Sequence, residues 1–310
     1  MSLDPLIIKI AKLQNPTVLG LDPKLEYVPE FIRRKAYDKH GFTLKGAAKA
    51  VLEYNKGLIN ALADTVPAIK PQSAYYELLG YHGVKVLART IEYAHKAGMY
   101  VVLDGKRNDI GTTMEAYAAA YLGGVKVGDE FIQPFGCDAM TINGYLGADG
   151  IDPVLKECKQ RGKGAFVLAK TSNPSSGELQ DKTIDGLAVY ERMVAMCEAR
   201  GAEIGGEFGF GGLGAVVGAT YPEQLAELRA KYKSVFFLVP GYGAQGGKAS
   251  DVAKAFDENG LGAIVNSSRA IMTAYQKEKC DERDFAGAAK REAVKMRDAI
   301  MNEIGVIKIK

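Results

Sequence analysis

The chain has 310 residues, of which 47% are apolar and 25% charged, and its formal charge is +3 at pH 7. This balance is typical of a globular protein and excludes both an intrinsically disordered chain and a coiled coil. The basic residues form no polybasic run, and no apolar run approaches the ~18 residues that span a membrane, so we expect neither a nucleic-acid-binding nor a membrane protein.

Cysteine and histidine spacing argues against a metal site. The four cysteines are far apart, with no Cys-x-x-Cys pair and no neighbouring histidine: Cys137, Cys158, Cys197 and Cys280. We therefore predict buried, reduced thiols and no bound metal. Residues 1–14 alternate apolar and charged positions as a short amphipathic helix does, and they lack the apolar core of a signal peptide. A cytoplasmic location is the expectation.

Eight short apolar runs, each ending in small, polar or charged residues, are predicted to be strands: 17–22, 68–70, 99–104, 139–143, 165–169, 213–218, 235–239 and 263–266. Helical patterns lie between most of them, which is the alternation of a parallel α/β fold. Eight such units predict a (β/α)8 TIM barrel. We expect a single domain over residues 1–310, with residues 24–43 as a long first connection at the rim.

An open, doubly wound sheet is the alternative architecture. The run 68–70 has the weakest strand pattern of the eight, and the glycine-rich passage 205–214 fits an insertion as well as a simple connection. Against this alternative, the first run ends in Leu-Asp-Pro-Lys at 21–24 and has no Gly-x-Gly-x-x-Gly after it.

The most informative stretch is 99–113, where an apolar strand runs directly into Asp104, Lys106 and Asp109. Residues two apart in a strand share a face, so Asp104 and Lys106 are predicted to project together, with Asp109 just beyond in the loop. Two carboxylates would then bracket one ammonium and favour its charged form, which suits an acid that delivers a proton to carbon. A surface ion pair is the ordinary alternative for such a pattern.

Other polar residues follow the predicted strands at the end where barrel enzymes carry their sites. Asp22 ends the first strand and Lys70 the second. The seventh and eighth strands run into a glycine-rich turn at 240–247 and into Asn-Ser-Ser-Arg at 266–269. Barrels often bind phosphate after these two strands, and an arginine fork suits that anion, so a phosphate monoester substrate is predicted.

The run 170–177 after the fifth strand contains Thr-Ser-Asn-Pro-Ser-Ser. Its hydroxyl and amide groups can donate to and accept from the edge of a planar ring. A plain turn is an equally good interpretation of this run when it is taken alone.

Together these residues resemble the orotidine 5′-phosphate decarboxylase family, most closely its longer bacterial (type 2) subgroup. Residues 104–113 carry the signature Asp-x-Lys-Arg-x-Asp-Ile-Gly-Thr-Thr, and 19–23, 69–72, 240–247 and Arg269 match as well. The resemblance implies loss of carbon dioxide from orotidine 5′-phosphate to give uridine 5′-monophosphate in pyrimidine synthesis. It also implies no cofactor, and a homodimer with shared active sites.

The resemblance further implies roles for individual residues. Lys106 would protonate C6 of the pyrimidine, Asp104 would lie against the departing carboxylate, and Lys70 and Asp109 would complete the charged network. Asp22 would hold a ribose hydroxyl, Ser172 the pyrimidine edge, and Gln245 and Arg269 the phosphate. The full set of implied substrate-binding residues is Asp22, Ile110, Thr113, Ser172, Pro240, Gln245, Gly246 and Arg269. Ile110 and Thr113 would reach, with Asp109, into the site of a partner subunit.

Three other functions remain open at this point. A metal-dependent sugar-phosphate decarboxylase or aldolase of the same barrel superfamily resembles this chain in its Asp-x-Lys-x-x-Asp element, but carries a carboxylate for magnesium where Lys70 stands. A Schiff-base aldolase needs Lys70 or Lys106 with a depressed pKa, which neighbouring aspartates oppose. A non-catalytic phosphate-binding module needs the phosphate site but no charged network.

Overall fold

Eight parallel strands form one closed barrel in the computed structural model, which describes residues 3–243 and 246–309. The strands of the chain are β1 (Thr17–Leu21), β2 (Ala68–Pro71), β3 (Tyr100–Arg107), β4 (Val125–Val127), β5 (Glu130–Ile132), β6 (Ala139–Ile142), β7 (Gly164–Lys170), β8 (Thr183–Ile184), β9 (Leu187–Ala188), β10 (Leu213–Val217), β11 (Phe237–Val239) and β12 (Ala263–Ser267). The order around the barrel is β1-β12-β11-β10-β7-β6-β3-β2. The pairs β4–β5 and β8–β9 are antiparallel hairpins outside it.

Helices surround the barrel and connect its strands. They are α1 (Asp4–Leu13), α2 (Glu30–His40), α3 (Leu44–Leu62), α4 (Ser73–Glu77), α5 (Gly80–Lys96), α6 (Gly111–Tyr121), α7 (Asp152–Arg161), α8 (Val189–Gly201), α9 (Pro222–Lys231), α10 (Ala249–Ala253), α11 (Arg269–Met272), α12 (Ala274–Glu278) and α13 (Phe285–Ile304). Within the described ranges, each helix is too short or too polar to cross a lipid bilayer.

The predicted barrel is confirmed, and the open-sheet alternative is wrong. All eight predicted runs correspond to barrel strands, including the short second run, which becomes β2 and pairs with both β1 and β3. Pairing of β1 with both β12 and β2 closes the sheet. Strands β1, β2 and β6 are buried along their whole length, because a parallel barrel is covered by helices outside and filled by side chains inside.

The amino end of the barrel is closed by α1. Its residues Leu6, Ile7 and Ile10 are at most 1% exposed and belong to the same apolar cluster as the first inward-facing residues of the strands, such as Val18 and Tyr100. For the part of the chain that the structure describes, the barrel is therefore open to solvent at the carboxyl ends of its strands. The first connection, before α3, contains a 3-10 helix at Leu25–Tyr27 as well as α2.

A buried arginine, Arg229 on α9, stabilises the barrel away from the open end. Only 7% of the residue is exposed, and its guanidinium carbon lies 4.1 Å from the ring centroid of Phe237 on β11. Burial lowers the pKa of Arg229 to about 10, although the charge of Asp257 opposes the shift. The guanidinium donates to five backbone carbonyl oxygens, at 2.7 to 3.2 Å: those of Tyr232, Lys233, Val235, Ala255 and Gly262.

We expect the substitution Arg229→Lys to lower the free energy of unfolding by about 2–4 kcal/mol, because a single ammonium cannot reach all five carbonyl oxygens and leaves some of them buried without a donor. Urea unfolding followed by circular dichroism measures this. Arg34→Lys is the matched control, since the Arg34 side chain is 76% exposed, and its effect should stay within about 0.5 kcal/mol. Equal stability of the two variants would contradict the stabilising role of the Arg229 guanidinium.

Candidate active site

A cavity of about 690 Å³ opens at the carboxyl ends of the barrel strands. Each of the eight barrel strands, or the residue directly after it, contributes to the wall: Asp22, Lys70, Asp104, Thr141, Leu168, Val216, Leu238 and Asn266 are one such residue from each. This volume is in the range of pockets that hold a small organic ligand, and the carboxyl end is where barrel enzymes carry their active sites.

Seven of the residues expected from the sequence lie in the wall of this cavity: Asp22, Lys70, Asp104, Lys106, Ser172, Pro240 and Arg269. Four others are described but do not line it, namely Asp109, Ile110, Thr113 and Gly246. Gln245 lies outside the described residues.

The carboxylate of Asp104 is the centre of the charged site. Lys106 Nζ donates to Asp104 Oδ1 at 2.5 Å, and Lys70 Nζ donates to the other oxygen, Oδ2. Thr141 Oγ1 lies 3.0 Å from Asp104 Oδ1 and is a third donor. The expectation that Asp104 and Lys106 share a face is therefore met. The expected arrangement of two carboxylates around one ammonium is not found within this subunit, where two ammonium groups flank the carboxylate of Asp104.

Burial and charge act in opposite directions on this pair. Only 7% of Asp104 and 4% of Lys70 are exposed. Burial by itself raises the pKa of Asp104, but the charges and hydrogen bonds of the two lysines outweigh it and hold that pKa well below its usual range. Burial lowers the pKa of Lys70, yet the carboxylates of Asp104 and Asp22 raise it above its usual value. Both groups are thus ionised near neutral pH.

Asp109 does not contact Lys106 within this subunit. Its Oδ1 accepts a hydrogen bond from the amide of Ile110 at 2.8 Å, directly before α6, so the carboxylate turns towards the start of that helix. The side chain of Lys106 is 45% exposed, because it lies in the open wall of the cavity. A carboxylate on the far side of Lys106 would have to come from elsewhere.

Two buried oxygen atoms in the wall have no hydrogen-bond donor among the described residues, and they are Asp22 Oδ1 and Asn266 Oδ1. Buried acceptors of this kind are normally satisfied, so they are suited to donors brought by a ligand, such as hydroxyl groups. Gly20 brings this part of the wall together, since a Cβ there would lie 1.9 Å from Ser268 Oγ.

The glycine-rich turn after β11 has the backbone conformation that its sequence predicts. Gly241, Gly243 and Gly246 all have positive φ angles, of 99°, 69° and 100°, which side chains disfavour. The turn is held by hydrogen bonds from the amide of Gly243 to Gly247 O and from that of Gly247 to Gly241 O. Pro240, Gly241 and Arg269 line the same side of the cavity wall, at the ends of β11 and β12.

Ser172 lies in the segment after β7, which is anchored from outside the cavity. Gln180 accepts from the amide of Thr171 and donates to its hydroxyl. Lys170, fully buried, is paired with Asp181 at 2.6 Å. These contacts fix the segment that presents Ser172 to the cavity.

Sequence reasoning missed several cavity residues: Lys24, Tyr27, Tyr75 and Thr141. Thr141 had a signal, because it is the one hydroxyl residue in an otherwise apolar strand, Ala139–Ile142. The others come from connections whose path over the barrel depends on tertiary contacts. Of the four cysteines, Cys137, Cys158 and Cys197 are buried as predicted, whereas Cys280 is partly exposed; all four are free thiols.

The fold and the site together define a (β/α)8-barrel enzyme whose charged residues gather at the carboxyl ends of the strands. The chain belongs to the orotidine 5′-phosphate decarboxylase / HUMPS family, whose model matches residues 19–282.

Individual relatives agree with this assignment. The orotidine 5′-phosphate decarboxylase of Rhodopirellula baltica is 42% identical over 295 residues, which cover 94% of this chain and 96% of that protein. The enzyme of that name from Caldicellulosiruptor saccharolyticus is 40% identical over 88% of this chain and 90% of its own. The solved OMP decarboxylase of Leishmania donovani is 29% identical, with a TM-score of 0.71, over 96% of this chain and all of that one. The family resemblance drawn from the sequence is thus confirmed.

The ionisation of Asp104 gives a pH-dependent prediction for stability. An unfolded aspartate has a pKa of about 3.9, and the folded pKa is lower, so the unfolded state binds the proton first as the pH falls. We expect Asp104→Asn to cost about 3 kcal/mol at pH 7, because Lys70 stays buried without its partner. This deficit should be constant above about pH 5 and should shrink below about pH 4.

Urea unfolding at a series of pH values measures the deficit. Asp38→Asn, at an exposed position of α2, is the matched control and should show no such pH dependence. A deficit that grows as the pH falls would contradict the stabilising role of the Asp104 carboxylate.

Proposed function

We propose that this chain decarboxylates orotidine 5′-phosphate to uridine 5′-monophosphate and carbon dioxide, a reaction of pyrimidine synthesis. Family membership and the names of its relatives support the activity. The observation that carries the proposal is the ammonium of Lys106, which is held 2.5 Å from the buried carboxylate of Asp104 in the wall of the barrel cavity.

The cavity offers complementary groups for each part of this substrate. Pro240, Gly241 and Arg269 suit the phosphate, because a glycine-rich turn and a guanidinium both favour an anion. The orphan oxygens of Asp22 and Asn266 suit ribose hydroxyl groups. With the phosphate at β11 and β12 and the pyrimidine edge at Ser172, the ring would lie over the charged residues of β2 and β3.

Lys106 would act at the carbon from which carbon dioxide leaves. Breaking the bond from C6 to the carboxylate leaves an electron pair in the plane of the ring, where the π system cannot delocalise it. An ammonium fixed beside C6 stabilises that charge without reorganising, and such electrostatic preorganisation is usually the largest catalytic contribution. The proton of Lys106 then passes to C6, which gives the product and a neutral amine that is reprotonated from solvent.

Asp104 would remain an anion next to the substrate carboxylate, since its pKa lies well below the usual range. Repulsion between the two carboxylates is relieved when neutral carbon dioxide forms. We weight this contribution below that of Lys106. The phosphate would bind far from the broken bond, and its binding energy can be used to organise the groups around the reacting carbon, which raises turnover as well as affinity. Gly246 belongs to the turn at 240–247, and we propose Gln245 as a further phosphate ligand.

The metal-dependent alternative is not favoured. In the place where it would need a carboxylate, Lys70 presents a buried ammonium that repels a divalent cation. A Schiff base on Lys70 is opposed by its raised pKa, because a protonated amine is not a nucleophile. A non-catalytic phosphate-binding module would have no use for a buried, charged network that is costly to desolvate.

We also propose a homodimer in which each subunit completes the other's site. Asp109 makes no contact with Lys106 in its own subunit, and Ile110 is 55% exposed directly after it. Thr113, on the first turn of α6, is also exposed. The hairpin β4–β5 follows α6, and its apolar side chains Val127 and Phe131 are 57% and 50% exposed. A lone two-stranded hairpin is marginally stable in water, so a covering partner fits it.

We propose that residues 1–310 act as one domain, because the strands of the barrel extend from residue 17 to residue 267 and α1 closes its amino end. A cytoplasmic location is supported by four free thiols, which persist in reducing compartments. The proposed ligand is a nucleoside monophosphate, with neither nucleic acid nor membrane as partner.

Substitution of the proposed acid tests the function directly. Wild-type protein should consume orotidine 5′-phosphate, seen as a loss of its ultraviolet absorbance, and an excess of EDTA should not change the rate. Lys106→Ala should lower kcat by at least about 10⁴-fold, because it removes both the preorganised charge and the proton. Binding of uridine 5′-monophosphate should remain measurable by calorimetry.

Lys12→Ala, at an exposed position of α1 on the closed side of the barrel, is the matched control and should keep full activity. Turnover of Lys106→Ala within tenfold of wild type would exclude the proposed acid. Activity that EDTA abolishes and magnesium restores would favour the metal-dependent alternative.

Subunit mixing tests the shared site. Lys106→Ala and Asp109→Ala should each be inactive alone, and mixed heterodimers should recover activity, because one of their two sites then contains Lys106 from one subunit and Asp109 from the other. The control is a mixture of Lys106→Ala with Asp104→Ala, in which every heterodimer site lacks one residue and no activity returns. Heterodimers that form, as judged by native mass spectrometry, but stay inactive in the first mixture would refute the sharing of Asp109.

A further inference from the structure

Thr141 joins the two charged residues of β3 from the neighbouring strand β6. Its hydroxyl oxygen lies 3.0 Å from the backbone nitrogen of Lys106 and 3.0 Å from Asp104 Oδ1. The residue is 2% exposed and forms part of the cavity wall. It therefore touches the main chain of one member of the pair and the carboxylate of the other.

The direction of both hydrogen bonds is fixed by chemistry. The amide of Lys106 can only donate and the ionised carboxylate of Asp104 can only accept, so the hydroxyl accepts from the first and gives its single proton to the second. Valine at this position would have the same shape but could make neither bond.

The backbone at Lys106 needs such support. Its φ angle is +49°, in the left-handed region that costs a residue with a side chain about 1–2 kcal/mol. The register between β3 and β6 also shifts between Leu103 and Arg107, so the regular ladder is interrupted at Lys106. The hydroxyl of Thr141 takes up the amide that this irregularity frees from the ladder.

We propose that Thr141 is a positioning residue for the proton donor, which holds Lys106 in its left-handed conformation and at the same time orients the Asp104 carboxylate that fixes the ammonium. The kinetic consequence of this inference rests on the proposed function, whereas the geometry that it explains is independent of that function. The ammonium is thereby fixed twice, through its main chain and through its counterion.

Kinetics and crystallography of Thr141→Val and Thr141→Ser test this proposal. We expect Thr141→Val to lower kcat about 30- to 100-fold, because small displacements of a catalytic group have effects of this size. KM and the affinity for uridine 5′-monophosphate should stay within threefold of wild type, and Thr141→Ser should recover kcat to within about fivefold. A merely structural role would weaken product binding together with turnover.

Two kinetic results would overturn the proposal: a kcat of Thr141→Val within fivefold of wild type, or an equal loss in the serine variant. A wild-type protein that does not decarboxylate orotidine 5′-phosphate would refute the proposed function instead. The crystal structures then decide the positioning role without reference to activity. It is supported if Lys106 leaves its positive φ or its contact with Asp104 in Thr141→Val but not in Thr141→Ser, and overturned if both features persist in the valine variant.

Discussion

The site depends on one buried carboxylate that is stabilised by two ammonium groups. Burial of Asp104 by itself would favour its neutral form, and burial of Lys70 would favour the neutral amine. The opposite charge of each residue offsets the cost of burying the other, and Lys106 adds a second cation that faces the cavity. Buried ion pairs of this kind contribute little net stability, but removal of one partner is costly. The arrangement therefore keeps Asp104 and Lys70 ionised in a place where isolated charges would not persist.

The barrel separates the part that gives stability from the part that performs chemistry. At the amino end, α1 inserts Leu6 and Ile10 among the inward-facing residues, and Arg229 ties several main-chain carbonyl groups together beneath β11 and β12. None of the described residues at this end lines the cavity. The carboxyl end holds the charges of the site and the unsatisfied oxygens of Asp22 and Asn266, which a rigid scaffold can carry because its core is packed elsewhere.

The proposed homodimer would account for the open side of Lys106. Among the described residues, Lys106 pairs with the carboxylate of Asp104, while Asp109 accepts from the amide of Ile110 and Ile110 is exposed. A second subunit that covers this face would bring an Asp109 towards the exposed side of Lys106 and bury the hairpin β4–β5. Dimer formation and completion of the charged network would then be one event. Such coupling links the concentration of the protein to its activity.

A feature of the fold or the site could be predicted from the sequence where it depends on residues that are neighbours in the chain. Eight apolar runs predicted eight strands, and polar residues at their ends predicted the open face, because strand period and turn chemistry are read from neighbouring residues. The contacts of Asp104 with Lys70 and Thr141 join residues 34 and 37 positions apart, so only the pairing and register of the strands decide them. The contact of Asp109 with the amide of Ile110 depends on the backbone of the loop before α6, which residue spacing does not reveal.

The sequence by itself thus determined the fold class, the family and five of the six charged residues in the cavity wall. Only the tertiary structure decided that Lys70 and Lys106 flank Asp104 and that Thr141 contacts both Asp104 and Lys106. Distances across a closed barrel are set by strand stagger and packing.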